Sequence, residues 1–274
     1  MGCSSRHVSV NFSGGFGNQL FQFANALELS LNHERIFQII PPTHGRAFTL
    51  HLLGLKPHTW YLPEMSEEIL RVNEIDSRCR SVFSKKVKEK EFSYHNLELS
   101  SGCTQVSGYF QSYKYFSTIA PALRNWLIFR LHVTAGSRPI NQVGLHVRLG
   151  DMANDPKFRK YHGIISDSYV EKAVQVLDVD ASNLRVITES MDDLRRELPY
   201  LASRDPIHLM GNSPLDDFKT LVEFQTLIIS NSTFSWWAAW LSNSRTVAPK
   251  DWFTPGVLLR NQVSDLIPAR WMLL

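Results

Sequence analysis

The stretch Val143-Gly144-Leu145-His146-Val147-Arg148-Leu149-Gly150-Asp151 constrains the fold of this chain most. Val143 to Val147 read as a buried strand, and the chain breaks at Gly150 with His146, Arg148 and Asp151 gathered at the strand's end. Alternate residues of a strand share a face, so His146 and Arg148 point to the same side. Ligands of open α/β sheets bind just beyond the carboxyl ends of the strands. A titratable ring beside a permanent cation at that place suits an anionic ligand, and a guanidinium matches phosphate in bidentate fashion. The alternative is a buried Arg148–Asp151 pair that ties the loop to the strand.

The rest of the chain repeats the same grammar. His7 to Ser13 alternates as a first strand, runs into Ser13-Gly14-Gly15-Phe16-Gly17-Asn18-Gln19, and is followed by an apolar helix and a strand at Ile36 to Ile40. Residues 43 to 103 hold scattered prolines and no chemical motif. Val106 to Phe116 reads as an aromatic strand and turn, and a helix is expected from Ile119 to His132. Thr134-Ala135-Gly136-Ser137-Arg138-Pro139 is the best linker. Beyond it strand 143–148 leads through a long polar loop, to Ile165, into a helix over Asp167–Leu177. Strands follow at Leu184–Thr188, Ile207–Met210, Thr226–Ser230 and Arg245–Ala248. Helices are expected between them at Asp192–Leu198, Asp216–Phe224 and Thr233–Leu241. The expectation is an α/β protein with two Rossmann-like domains, 1–136 and 137–274, facing each other across a cleft.

Composition excludes several classes. A formal charge of +3 over 274 residues is too small to argue for nucleic acid, and the run Ser84 to Glu91 is short and mixed in sign, as a solvated face would be. No apolar run approaches the ~20 residues of a membrane span, and no signal-peptide core precedes the first strand. Arg6 stands where a myristoylation signal needs Ser or Thr. Cys3, Cys79 and Cys103 show no CxxC spacing, which fits a reducing, cytoplasmic setting.

Three segments can carry chemistry. Gly15-Phe16-Gly17-Asn18-Gln19-Leu20 resembles a dinucleotide fingerprint without its third glycine, and no acid closes the second strand, so a nicotinamide enzyme is disfavoured. The glycine turn can still bring backbone N–H groups and a helix start to a polar ligand. Ser230-Asn231-Ser232-Thr233, between an apolar strand and a Trp-rich helix, is a second anion cradle. Asp216 and Asp217 begin the preceding helix; such acids commonly serve the helix dipole, yet a carboxylate there also fits the N1 and amino edge of guanine. Metal signals are poor: Asp178-Val179-Asp180 trails a helix instead of a buried strand, and the ten histidines lack zinc spacing.

Ser13 to Ala26, Gly108 to Phe116, His146 to Asp151, Asn231 to Leu241 and Ala248 to Phe253 together resemble the α-1,2-fucosyltransferases of glycosyltransferase family 11, in the family's order. The resemblance implies a GT-B fold and an inverting transfer of L-fucose from GDP-β-L-fucose to the 2-hydroxyl of a terminal β-galactoside, with no metal or other cofactor required. It implies that Arg148 grips the β-phosphate, that His146 lies by the ribose or diphosphate, and that Asn231, Ser232 and Thr233 complete the phosphate cradle. Asp217 would read guanine, and Gly14, Gly17 and Asn18 would face the donor from the N-terminal domain, which also binds the acceptor. Leu149 replaces the second Arg of the usual His-x-Arg-Arg-x-Asp pattern, and Thr188-Glu189-Ser190 stands where Ser-Asp-Asp is common. The membrane anchor of animal members is not expected here.

Asp151 and Asp155 are the candidate general bases for the acceptor hydroxyl. Two rival readings are a Rossmann oxidoreductase and a sugar-binding module whose seven tryptophans and many tyrosines stack on galactose.

Overall fold

In the computed structural model, which describes residues 6–76, 84–150, 154–211, 213–258, 263 and 265–274, the chain forms two α/β units. The first comprises Met1–Leu131 with Gln262–Ile267, and the second His132–Asn261 with Pro268–Leu274. The division falls just before the Thr134–Pro139 linker, ahead of the expected boundary after residue 136, and a short segment near the C-terminus belongs with the first unit.

The first unit grows from β1 (His7–Asn11), whose Val8 and Val10 are wholly buried, and α1 (Phe16–Asn32), which is buried along nearly its whole length. Strands β2 (Ile36–Ile40), β3 (Trp60–Ser66), β4 (Ile69–Ile75), β5 (Ser84–Lys88) and β6 (Cys103–Ser107) follow, then helix α2 (Ala120–Leu131). The sheet order is β4-β3-β2-β1-β6-β5. Strands β2, β1, β6 and β5 are parallel, and the β3–β4 hairpin adds antiparallel to β2. The lysine-rich run read as a solvated face is edge strand β5, with Lys85, Lys86 and Lys88 exposed. Charged side chains on an edge discourage pairing with another chain.

The second unit contains β7 (Val143–Val147), α3 (Pro156–His162), α4 (Asp167–Leu177), β8 (Leu184–Thr188), α5 (Met191–Glu197), α6 (Pro199–Ser203), β9 (Ile207–His208), α7 (Pro214–Val222), β10 (Thr226–Ile228), α8 (Thr233–Ser242), β11 (Arg245–Ala248) and β12 (Met272–Leu273). Its parallel sheet runs β12-β11-β10-β7-β8-β9. The residues after β7 were expected to be loop as far as Ile165; instead α3 forms, with the Asp155 side chain accepting from Lys157 N at 2.8 Å and Pro156 in its first turn. An acidic cap before proline is a helix start, and it acts here without an apolar stripe.

Both sheets have a topological switch point. From β7 the chain goes to β8 and β9 on one side and returns to β10, β11 and β12 on the other, which opens a crevice at the carboxyl ends of β7 and β10. In the first unit the corresponding place lies between β1 and β6. The Tyr169 hydroxyl fixes the first of these edges by donating to Ile229 O and Val247 O at 2.8 and 3.1 Å.

Candidate functional site

Every residue of β7 is buried, as the apolar run requires, so the strand delivers His146 and Arg148 to the β7/β10 switch point. His146 is 5% exposed, with Nδ1 3.1 Å from Ser230 Oγ and its ring 5.4 Å from that of Phe234. Burial, and then the neighbouring Arg148 charge, pull its pKa down to about 3. His146 is therefore a neutral hydrogen-bonding group at physiological pH, and the fixed cation at this edge is Arg148. Leu149 is fully buried in the unit's core, so the position lacking a second arginine faces inward. Its N–H donates to Glu189 Oε2 at 3.0 Å, and Asn154 Nδ2 bridges Gly150 O and Asp193 Oδ2. Asp151 lies outside the described residues.

The second wall is the β10–α8 junction. Ser232 caps α8, accepting from Phe234 N, and Ser235 Oγ donates back to Ser230 O and Ser232 O. Thr233 opens the first turn and is half-buried. The first-turn N–H groups of a helix carry the positive end of its dipole and suit an anion. The Asn231 amide donates to His162 O at 2.7 Å and Trp252 O at 3.2 Å. Its side chain braces the wall, and its Oδ1 is buried without a hydrogen bond among the described residues. Behind the junction, Trp236 and Trp237 are wholly buried.

Helix α7 joins this cluster through Phe218, whose ring packs at 5.2 Å on Phe234. Asp217, the neighbouring residue, accepts from Gly211 N through Oδ1 at 2.7 Å, while Asp216 pairs with the capping Ser213 hydroxyl. The structure thus brings His146, Arg148, Ser230–Thr233 and the start of α7 into one part of the second unit. Asp178 ends α4 in a left-handed conformation and Asp180 accepts from Ser182 N, as a loop would have it. A groove of about 340 Å³ lined by these acids, Thr226 and Arg245 lies at the opposite, amino edge of the sheet.

The chain matches the model of glycosyl transferase family 11 over residues 3–255. The chain belongs to glycosyl transferase family 11. Its relatives include an Escherichia coli protein named alpha-1,2-colitosyltransferase, 25% identical over 97% of this chain and 98% of the relative. A galactoside alpha-(1,2)-fucosyltransferase 1 of Oryctolagus cuniculus is 24% identical over 87% of this chain, which covers 65% of that longer protein. Among solved structures, a mutant of Arabidopsis thaliana FUT1 in complex with GDP matches 92% of this chain and 72% of its own at 14% identity, with a TM-score of 0.46.

This family 11 glycosyltransferase is built of two α/β units, each on a parallel-rich sheet. The oxidoreductase reading ends with the family. The reading as a sugar-binding module without catalysis ends with the family as well, and of the seven tryptophans Trp60, Trp236, Trp237, Trp240, Trp252 and Trp271 are buried. Among the described residues no group of three or more His, Cys, Asp or Glu side chains is arranged to hold a metal ion, and no helix is long and apolar enough to cross a membrane.

In the first unit the glycine loop of this family 11 enzyme is held by groups that sequence reasoning missed. Gly14 has φ +74°, and a Cβ there would collide with Asn18, so a larger residue is excluded twice over. Gly17 is buried within α1, and Asn18 Oδ1 accepts from Gln111 Nε2 at 3.1 Å. Gln22, fully buried, accepts from Ser13 N and donates to Ser13 Oγ and Gly108 O, stitching the end of β1 to the end of β6. Gln19 similarly ties Gly14 O to Ala47 O and Thr49 N. The available signal was two glutamines set among the apolar positions Leu20, Phe21, Phe23 and Ala24, where a buried amide usually finds polar partners.

Proposed function

We propose that the protein moves L-fucose from GDP-β-L-fucose to the 2-hydroxyl of a terminal β-galactoside, with inversion and without a required metal or other cofactor. The family match along residues 3–255 carries the reading. On this account the second unit binds GDP-fucose, the first binds the glycan acceptor, and the reaction belongs in the cytoplasm.

The chemical demand is to stabilise negative charge on the β-phosphate as the anomeric bond breaks. Preorganised donors aimed at that charge do most of such work, and removing one typically costs about 10²–10³ in rate. Arg148 supplies the fixed charge. The first turn of α8 and the Thr233 hydroxyl supply neutral donors, with Ser232 holding the cap and Asn231 bracing the loop behind it. His146, neutral and paired with Ser230, offers a hydrogen bond to the ribose or diphosphate. Asp217 faces guanine, and Gly14, Gly17 and Asn18 approach the donor from the first unit. Asp151 orients Arg148 or takes the acceptor proton. Asp155 is engaged as the cap of α3, which supports Asp151 as the base to test first.

A second donor is favoured by the colitosyltransferase relative, which aligns with nearly the whole chain. Purified protein is incubated in EDTA with lactose and either GDP-fucose or GDP-colitose, and the product's linkage is read by NMR. The account expects an α-1,2-linked fucosyl product. Colitosyl transfer alone would replace the donor, and no transfer in EDTA with restoration by Mn²⁺ would reject the mechanism.

A further inference from the structure

Beside the switch point of the first unit, at the ends of β6 and edge strand β5, lies a carboxylate that the donor chemistry does not use. Glu89 follows edge strand β5, its N–H donating to Ser107 O at 2.9 Å, and its side chain turns over the end of β6. Its Oε2 accepts from both Tyr109 N, at 2.7 Å, and Phe110 N, at 2.9 Å. Gly108 has φ +154°, and a Cβ there would strike the Glu89 side chain, so the two pack without intervening atoms. Phe110 is wholly buried in a left-handed conformation at φ +52°, costly for an aromatic residue and held only where neighbours enforce it. Tyr109, between these two anchors, is 38% exposed.

The same segment is tied to the glycine loop, by Gln22 at Gly108 O and by Gln111 at Asn18 Oδ1. Two acceptor oxygens here, Glu89 Oε1 and Gln111 Oε1, are buried without a hydrogen bond among the described residues. Buried acceptors left unmet cost stability, so this edge is shaped for something other than stability alone. An exposed tyrosine with a fixed backbone offers a rigid apolar face with a polar tip, which suits the C–H face of a galactose ring.

We propose that Tyr109 is the platform on which the acceptor sugar stacks, and that Glu89 is its positioning residue. This rests on the reading of the protein as a transferase acting on a β-galactoside. A carboxylate grips two N–H groups about twice as strongly as a neutral acceptor does. Burial pushes the Glu89 carboxyl up to about 7, against the pull of the two N–H bonds. Ionisation there is net unfavourable, so the hold on the segment weakens as pH rises through neutrality. The titratable groups around it are Tyr115 on the turn after β6, with Tyr94 and Asp265 beyond, and Lys88, Lys90 and Glu91 on its own segment. The Tyr115 hydroxyl, pushed to about 12 chiefly by burial, stays neutral near pH 7, and Asp265 is paired with Lys114 at 2.7 Å.

The test measures lactose KM and kcat at saturating GDP-fucose, at pH 6 and pH 8, for the whole chain and its Glu89→Gln and Tyr109→Ala variants. Amide exchange at Tyr109 and Phe110 is followed alongside. Tyr109→Ala is expected to raise lactose KM about 3- to 10-fold. In the wild type KM rises about fivefold from pH 6 to pH 8 and both amides lose protection; in Glu89→Gln neither change with pH is seen. An unchanged KM in Tyr109→Ala, or a Glu89→Gln variant with wild-type pH profile and wild-type exchange, overturns the proposal. Should the wild type transfer no fucose, the functional reading fails, while amide exchange still decides whether Glu89 holds the segment.

Discussion

Arg148 and His146 leave the same strand and behave oppositely. Arg148 is the cation at the strand end, while His146 loses its charge to burial and to that cation beside it. The histidine's effect on stability has a definite sign. Its pKa falls from 6.5 to about 3 on folding, so between those values the unfolded chain binds the extra proton. His146 therefore makes the second unit lose stability as pH falls through that window, by an amount on the order of a few kcal/mol. Thermal unfolding of His146→Gln between pH 4 and 7 should show a flatter acid limb than the wild type; an equally steep one would mean that the ring is not the buried neutral group described. Glu89 contributes the opposite slope to the first unit, since its pKa rises from 4.5 to about 7 and its stability contribution falls as pH rises between them.

Among the elements, α8 converts sequence into chemistry most directly. Its Trp-rich body is buried, which fixes where its first turn sits, and Ser232 closes that turn. Ser232→Ala should lower stability by about 1 kcal/mol, as loss of a serine cap usually does, and weaken GDP binding in the same variant. Denaturant unfolding and calorimetry read the two effects; lost stability with unchanged GDP affinity would make the cap purely structural. The elements with strong patterns were legible: β2, β7, β8, β11 and α4 have the bounds that alternation and apolar runs suggest. What was not legible lacks such a pattern. Strand β5 is built of lysines and serves as an edge, where burial exerts little demand, and the β3–β4 hairpin extends the sheet from a region with no clear periodicity. Gly14, Ser232 and Thr233 could be picked out because loop and cap chemistry is local. The bracing role of Asn231 and the grip of Glu89 depend on partners 69 and 20 residues away, which no local pattern reveals.

At the scale of the molecule, each unit places polar residues at or beside the switch point among the parallel strands of its own sheet. The second presents a guanidinium, a neutral imidazole and a helix start, suited to a diphosphate. The first presents a glycine turn and a held tyrosine, suited to uncharged hydroxyls and a sugar face. The central claim is that Arg148 acts on the outer phosphate of the donor nucleotide. Calorimetric titration of GDP and GMP in EDTA, into wild type and Arg148→Ala, tests it most directly. The account predicts that the variant loses GDP affinity by about 10- to 100-fold, the worth of one hydrogen bond between charged groups, and binds GMP nearly as the wild type does. Equal losses for both nucleotides, or none for either, would contradict it.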